Sequence, residues 1–214
     1  MSKTNILVAD IESTGFSFRG VDRVISYGGT WIKNGKPFTD KDVYLEFNPV
    51  TARSSAAAEA THGLTHKYLK KKKPFEDNCK KLIKQLKKAD VFIGHNASFD
   101  VSFLKKELAL IGEESIFDDL EVVDTAQMAR KRLKTRKFNL DFCCEMLGVE
   151  NNRTIHNALE DAQITARLFI VLSNIIENDF DVPEYKGDQE LTDAGHVTLP
   201  TKEERKKLAK LIGA

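Results

Sequence analysis

The first apolar block of the chain, Ile6 to Ala9, is unbroken, as expected of a strand covered on both faces. Val24 to Ile32 sets Ile25, Tyr27, Trp31 and Ile32 among small residues and runs into Asn34-Gly35, a strong hairpin signal. Asp42 to Phe47 then alternates Val43, Leu45 and Phe47 against Tyr44 and Glu46. The chain therefore opens as an antiparallel meander. An alanine-rich stretch from Ser54 to Thr61 predicts a short helix stopped at His62-Gly63, since glycine suits a left-handed residue past a helix end. Lys70 to Lys73 reads as a basic loop. Pro74 starts a helix with Phe75, Cys79, Leu82, Ile83 and Leu86 on one stripe and lysines on the other.

Strands and helices then alternate. Val91 to Gly94 is a second short buried strand, followed by the polar turn His95-Asn96 and a helix to about Leu110. Val122-Val123 is a brief strand before a helix capped by Asp124, with Gln127 three residues on. Asn139 to Leu147 is a helix stopped by Gly148, and the last long helix runs from Asn157 to about Ile176 on a stripe of Leu159, Ala162, Ala166, Phe169 and Leu172. A meander followed by alternating strands and helices predicts an α/β fold whose sheet mixes antiparallel and parallel strands and is flanked by helices. Beyond Asn178 the pattern stops. Residues 179–200 are polar, with two prolines, two glycines and no sustained period, which predicts a linker. Thr201 to Glu204 is a capping box leading into Leu208, Leu211 and Ile212, a short amphipathic helix within 201–214. The expected organisation is one domain over 1–178 with this appendage.

Net charge changes the picture only locally. At +1 over 214 residues, no global field attracts a polyanion, so nucleic-acid binding has to come from a patch. Arg130 to Lys137, six Lys or Arg in eight residues, is such a patch. Cys79, Cys143 and Cys144 have no His or Cys at zinc-ligand spacing around them and read as reduced core thiols. With no apolar run of bilayer length and an N-terminus that leads straight into the first strand, the expectation is a cytoplasmic protein with no membrane partner.

The candidate chemistry lies where strands end. Asp10 and Glu12 follow the first apolar run, and residues i and i+2 of a strand point the same way, so the two acids repel unless a cation sits between them. Asp100 falls in the first turn of a helix just past a strand, where open α/β sheets place ligand groups. If Asn157 caps the last helix, His156 stands on the loop outside it and Asp161 one turn inside: a base beside a fixed ligand. Taken singly, each has a plainer explanation. These are solvated acids where a strand runs out, a first-turn acid favouring the helix dipole, and an exposed histidine with a chance neighbour.

Together, Asp10-x-Glu12, His95-Asn96-x-x-Phe99-Asp100 and His156-x-x-x-x-Asp161 resemble the DEDD exonucleases of the subgroup that uses a histidine base. Asp22-Arg23-Val24-Ile25, Thr61-His62-Gly63-Leu64, Val123-Asp124-Thr125, Asn139-Leu140-Asp141 and the run Arg153 to Leu159 extend the resemblance to the proofreading ε subunits of bacterial DNA polymerase III, over about residues 4–175. Two departures stand out. Ser13 replaces a usual threonine, and residues 55–58, Ser-Ala-Ala-Ala, lack an acid expected near the nucleotide pocket.

The resemblance implies a ribonuclease-H-like sheet. It implies two divalent metals, Mg²⁺ with Mn²⁺ as a substitute, held by Asp10, Glu12, Asp100 and Asp161, with His156 as the general base. Thr14, Gly15, His62, Asn96 and Phe99 would line the terminal nucleotide, although an aromatic such as Phe99 at a helix start is usually core. The implied activity is 3′–5′ hydrolysis of single-stranded or frayed DNA to nucleoside 5′-monophosphates, in proofreading or repair. With only three large apolar residues, the helix within 201–214 is too small to be stable alone and has to dock. It docks either on the chain's own domain, the plainer reading, or, as the resemblance implies, on a polymerase catalytic subunit as partner of the C-terminal tail. Two other readings accompany it: an RNA-directed enzyme of the same superfamily, and a non-catalytic module that tethers a polymerase.

Overall fold

Two kinds of strand pairing meet at β1 (Ile6–Ser13), the centre of a five-stranded sheet. The structure, a computed structural model, describes residues 4–133 and 137–177. On one side β1 pairs antiparallel with β2 (Val24–Lys33), which pairs antiparallel with β3 (Lys36–Glu46). On the other side it pairs parallel with β4 (Val91–Gly94), which pairs parallel with β5 (Glu121–Asp124), giving the order β3-β2-β1-β4-β5. This is the mixed sheet expected from the sequence. Asn34 and Gly35, with φ of 55° and 70°, make the β2–β3 hairpin turn, for which positive φ at both central residues suits the twist of the strands.

The alternation along β1 sorts two layers. Leu7, Ala9 and Ile11 pack with Phe92, Leu82, Leu86, Phe103 and Leu104 beneath α4 (Lys80–Leu86) and α5 (Ala97–Ala109). Ile6 and Val8 face the other way, with Ile93, Ala166, Phe169 and Ile170, under the long α8 (Ala158–Glu177). A satellite core joins α8 to α6 (Thr125–Leu133) and α7 (Leu140–Leu147) through Leu133, Cys143, Met146, Leu168 and Leu172. Asp10 and Glu12 continue the α8 face, since side chains alternate along a strand.

The short helices are α1 (Ala56–His62), α2 (His66–Leu69) and α3 (Phe75–Asn78). α1 begins on the Ser55 side chain, which accepts the Ala58 N–H, and ends at Gly63 with φ 70°. The helix expected from Pro74 is divided at Cys79 into α3 and α4. Its stripe survives because Phe75, Cys79, Leu82 and Leu86 all remain buried. β3 starts six residues before the expected Asp42, since its exposed first half is held by pairing rather than burial. The linker over 179–200 and the helix within 201–214 lie outside the described residues. No helix among the described residues is long and apolar enough to cross a membrane.

Candidate active site

The end of β1 becomes a site because its neighbours stop or step aside. β4 pairs with β1 only as far as Val8, so the Ile11 N–H lies past the end of that ladder. Asp100, in the first turn of α5, takes it: Oδ1 accepts the Ile11 N–H at 3.1 Å, which seats this buried carboxylate between Asp10 and Glu12 along the strand. α5 can start there because Asn96 adopts φ 68° and donates its N–H to Asp124 Oδ1 at 2.9 Å. The same oxygen accepts the Ala126 N–H, so one carboxylate fixes the starts of both α5 and α6.

From the other face α8 delivers the remaining groups. Asn157 Oδ1 accepts the Leu159 and Glu160 N–H groups, the cap expected from the sequence. Asp161 is buried one turn in, and His156 stands just outside. The His156 N–H donates to Thr61 O at 3.1 Å, tying its loop to the end of α1. α8 comes this close to the sheet because β2 carries Gly28 opposite Asp10, and a Cβ there would collide with the backbone of Ala158 and Leu159.

Ligand atoms of Glu12, His156 and Asp161 lie within 4.8 Å of one another. Burial foremost, then Asp100, Glu12 and Asp161, push the Asp10 carboxyl well above its usual range. Glu12 is pushed up to about 7 by burial and by Asp161. Asp100 is raised too, by burial above all, against the Ile11 hydrogen bond that lowers it. Three raised carboxyls, with the Asp161 carboxylate beside them, offer oxygen ligands that fit hard divalent cations, which would supply the missing charge. A cation already reaches in. The Arg153 guanidinium donates to Asp161 Oδ1 through Nη1 and to Asp141 through Nε and Nη2, the latter at 2.6 Å.

His156 Nδ1 is 3.1 Å from Asp161 Oδ2 and 3.1 Å from Arg153 Nη1. The hydrogen bond to Asp161 raises the imidazole pKa more than its half-buried position lowers it. A cavity of about 560 Å³ opens in front of these groups, lined by Asp10, Asn96, Asp141, Arg153, His156 and Asp161 among others.

The other sequence-selected residues lie outside that cavity lining. Thr14 is buried, and its hydroxyl is engaged with Asp22 Oδ1 at 2.9 Å and the Arg23 N–H at 3.1 Å. Gly15 sits against the Asp22 carboxylate, which a Cβ would strike. His62 is buried, its pKa lowered by that burial; Nδ1 accepts the Leu64 N–H, and Nε2 has no hydrogen-bond partner among the described residues. Phe99 is half-buried against Phe103, ring centroids 4.8 Å apart, and 6.4 Å from Phe16, which is 82% exposed. Phe16 and Arg153 were not singled out as site residues from the sequence. A large aromatic directly after the Ser-Thr-Gly turn, and an arginine three residues before the histidine, were the available signals.

A mixed sheet with acids at the end of its central strand, a capped helix bringing a fourth acid and a histidine beside it defines a 3′–5′ exonuclease of the histidine-containing DEDD class. The chain belongs to the exonuclease family RNase_T, whose model matches residues 7–169. It is similar to the DNA polymerase III subunit epsilon of Buchnera aphidicola subsp. Schizaphis graminum, 31% identical over 176 residues, covering 79% of this chain and 74% of that protein. Among solved structures, its fold is that of exonuclease X in complex with 5′ overhanging duplex DNA, with TM-score 0.59, 20% identity and coverage of 83% of this chain and 95% of that one. It is also that of the nuclease domain of 3′hExo, a DEDDh family member bound to rAMP, with TM-score 0.64, 15% identity and coverage of 85% and 96%.

Proposed function

We propose that this chain removes nucleotides one at a time from the 3′ end of single-stranded or frayed DNA, releasing nucleoside 5′-monophosphates in proofreading or repair. The observation that carries the reading is the meeting of Glu12, Asp161 and His156 within 4.8 Å, beside Asp10 and Asp100, at the open end of a sheet in an exonuclease-family chain. Asp10, Glu12, Asp100 and Asp161 hold two divalent cations, Mg²⁺ with Mn²⁺ as a substitute. When bound, these supply Lewis acidity toward the attacking water and the leaving 3′ oxygen.

His156 is the general base. With its proton on Nδ1, directed at Asp161 Oδ2, its Nε2 lone pair is left to take the proton of the attacking water. The water oxygen then bonds to phosphorus as the bond to the 3′ oxygen breaks. His62, neutral and with Nε2 unengaged among the described residues, receives the terminal nucleotide together with Asn96, Phe99 and the Thr14-Gly15 turn. The exposed Phe16 ring beside Phe99 extends this to a stacking surface for a base.

The basic run from Arg130 to Lys137 contacts backbone phosphates; residues 134–136 of it lie outside the described residues, and Arg130 already stacks on Phe138 at 3.9 Å. The catalytic unit is residues 1–178, and 179–214 dock a polymerase catalytic subunit in the cytoplasm. A polymerase partner is supported by the likeness to a polymerase III epsilon subunit, which covers 79% of this chain.

An RNA-directed activity is the second reading, favoured by the likeness to a nuclease domain bound to rAMP. The test is release of mononucleotides from matched DNA and RNA oligonucleotides with Mg²⁺, Mn²⁺ or EDTA. Asp10→Ala and Asp161→Ala should each abolish it in a folded protein. His156→Ala should keep metal and DNA binding and lose about 10² to 10⁴ in the chemical step. No release from either polymer would leave only a tethering module.

A further inference from the structure

The β3 edge of the sheet carries a charge that the site described above does not use. Ten of the chain's 33 Lys and Arg lie between Lys67 and Lys88 against two acids, so this segment bears +8 on a chain whose total is +1. Within it the loop from Lys70 to Lys73 is bolted to the end of β3. The Asn48 N–H donates to Lys73 O at 2.9 Å, the Tyr68 hydroxyl to Glu46 Oε2 at 2.8 Å, and Lys72 pairs with Glu46 at 2.5 Å. Lys70, Lys71 and Lys73 are exposed, with no ion-pair partner among the described residues.

The sheet register says where that loop stands. Glu12 is opposite Ser26 on β2, and Ser26 is opposite Glu46 on β3. Residues directly opposite share a face, so Glu46 is on the α8 face with Glu12, two strand spacings or roughly 10 Å away. β3 ends at the same end of the sheet as β1, because both run antiparallel to β2. The loop carrying these three exposed lysines is thus anchored at Glu46, at the acids' end of the sheet. The roughly 10 Å from that anchor to Glu12 is the span of about three phosphates at the roughly 3.4 Å rise per nucleotide of a stacked strand. The route is continuous, since α2 begins four residues after His62.

We propose that Lys70, Lys71 and Lys73 form a phosphate track for the nucleic-acid strand whose 3′ end lies in the site, gripping it about three nucleotides upstream of the bond that is cut. The track rests on the exonuclease reading and lies at the opposite sheet edge from Arg130 to Lys137, which follow β5. It is blind to sequence, and lysine makes it a set of point charges rather than a fork.

The test compares the triple variant Lys70→Gln, Lys71→Gln, Lys73→Gln with the equally discharged Lys33→Gln, Lys36→Gln, Lys41→Gln. Lys33 and Lys36 flank the hairpin at the other end of the sheet, and Lys41 lies along β3 before the Glu46 end. Binding of a 5′-labelled 15-mer is read by fluorescence anisotropy in Ca²⁺ over a salt series, and hydrolysis of that 15-mer and of a dinucleotide is read in Mg²⁺. The first variant should weaken 15-mer binding about tenfold at low salt. It should also flatten the slope of log K against log salt by roughly 2, at about 0.7 per phosphate contact for single strands, and leave dinucleotide turnover unchanged. An unchanged slope, or a loss matched by the far variant, overturns the track and leaves these lysines to an acidic protein partner. If the wild type binds the 15-mer but hydrolyses neither substrate, the exonuclease reading fails while the anisotropy still decides the track.

Discussion

Arg153 and Asp161 form a buried ion pair inside the acid cluster, with only 6% and 4% of their side chains exposed, and the same guanidinium spans to Asp141. This arginine already offsets part of the cluster's negative charge, and a divalent ion held as proposed would compete with it for Asp161. Arg153→Ala should lower metal-free stability by about 3 kcal/mol, the usual cost of stripping one partner from a buried pair. Saturating Mn²⁺ should recover most of that loss, and calorimetric titration should show tighter Mn²⁺ binding. Scanning calorimetry with and without Mn²⁺ reads the outcome, and a deficit of equal size in both would contradict it.

The raised carboxyls give the metal-free protein a pH dependence of definite sign. Asp10, Glu12 and Asp100 bind protons more tightly when folded than when unfolded, so their contribution is complete below the ordinary carboxylate range and fades as pH rises. For Glu12 the fade runs from its ordinary value of 4.5 to about 7. In EDTA the melting temperature should therefore fall between about pH 4.5 and pH 7 by more than in an Asp10→Asn, Glu12→Gln variant. Divalent ions should reverse the trend, adding more stability at pH 8 than at pH 5.

Gly28 carries no chemistry, yet its missing side chain lets the start of α8 lie on β2 opposite Asp10. Gly28→Ala should force α8 outward at Ala158 and Leu159, displacing Asp161 and His156 together. Overpacking of this kind costs about 1 to 3 kcal/mol, while a misplacement of about 1 Å costs on the order of 10² in rate. Nuclease activity should fall far more than thermal stability, and a variant of near wild-type activity would show that the helix accommodates the methyl.

Cys143 and Cys144, buried in the satellite core between α7 and α8, have thiols pushed up to about 12 by burial. Neither should react with a thiol-specific reagent at pH 8 in the native state. Both should react at once in denaturant, and fast native labelling of either would mean that α7 opens readily.

The periodic elements were legible because burial dictates them. The apolar run of β1, the stripe of α8 and the caps at Asn157 and Asn139 needed only local chemistry. Strand ends and helix starts picked out Asp10, Glu12, Asp100, His156 and Asp161 one by one, and it was the resemblance to the histidine-containing DEDD exonucleases that grouped them at one site. What escaped was settled at long range. β3 begins at Lys36 because β2 pairs with it, although its first half buries little. The commitment of Thr14 to Asp22 depends on a turn eight residues long. Arg153 reads as an ordinary loop arginine until α7 and α8 set Asp141 and Asp161 on either side of it.

α1 is held at both ends by backbone: the Ser55 N–H donates to Thr14 O at 3.3 Å, and Thr61 O accepts the His156 N–H at 3.1 Å. The seven-residue helix is therefore a strut of fixed length and phase between the turn after β1 and the loop bearing the histidine. One inserted residue would lengthen it by about 1.5 Å and rotate its last carbonyls by roughly 100°, unhooking the His156 amide. Four inserted residues would bring the carbonyls back almost into phase, about one turn too far away. Chain length in this small helix is thus constrained by the hydrogen bonds at its two ends, independently of what its side chains do.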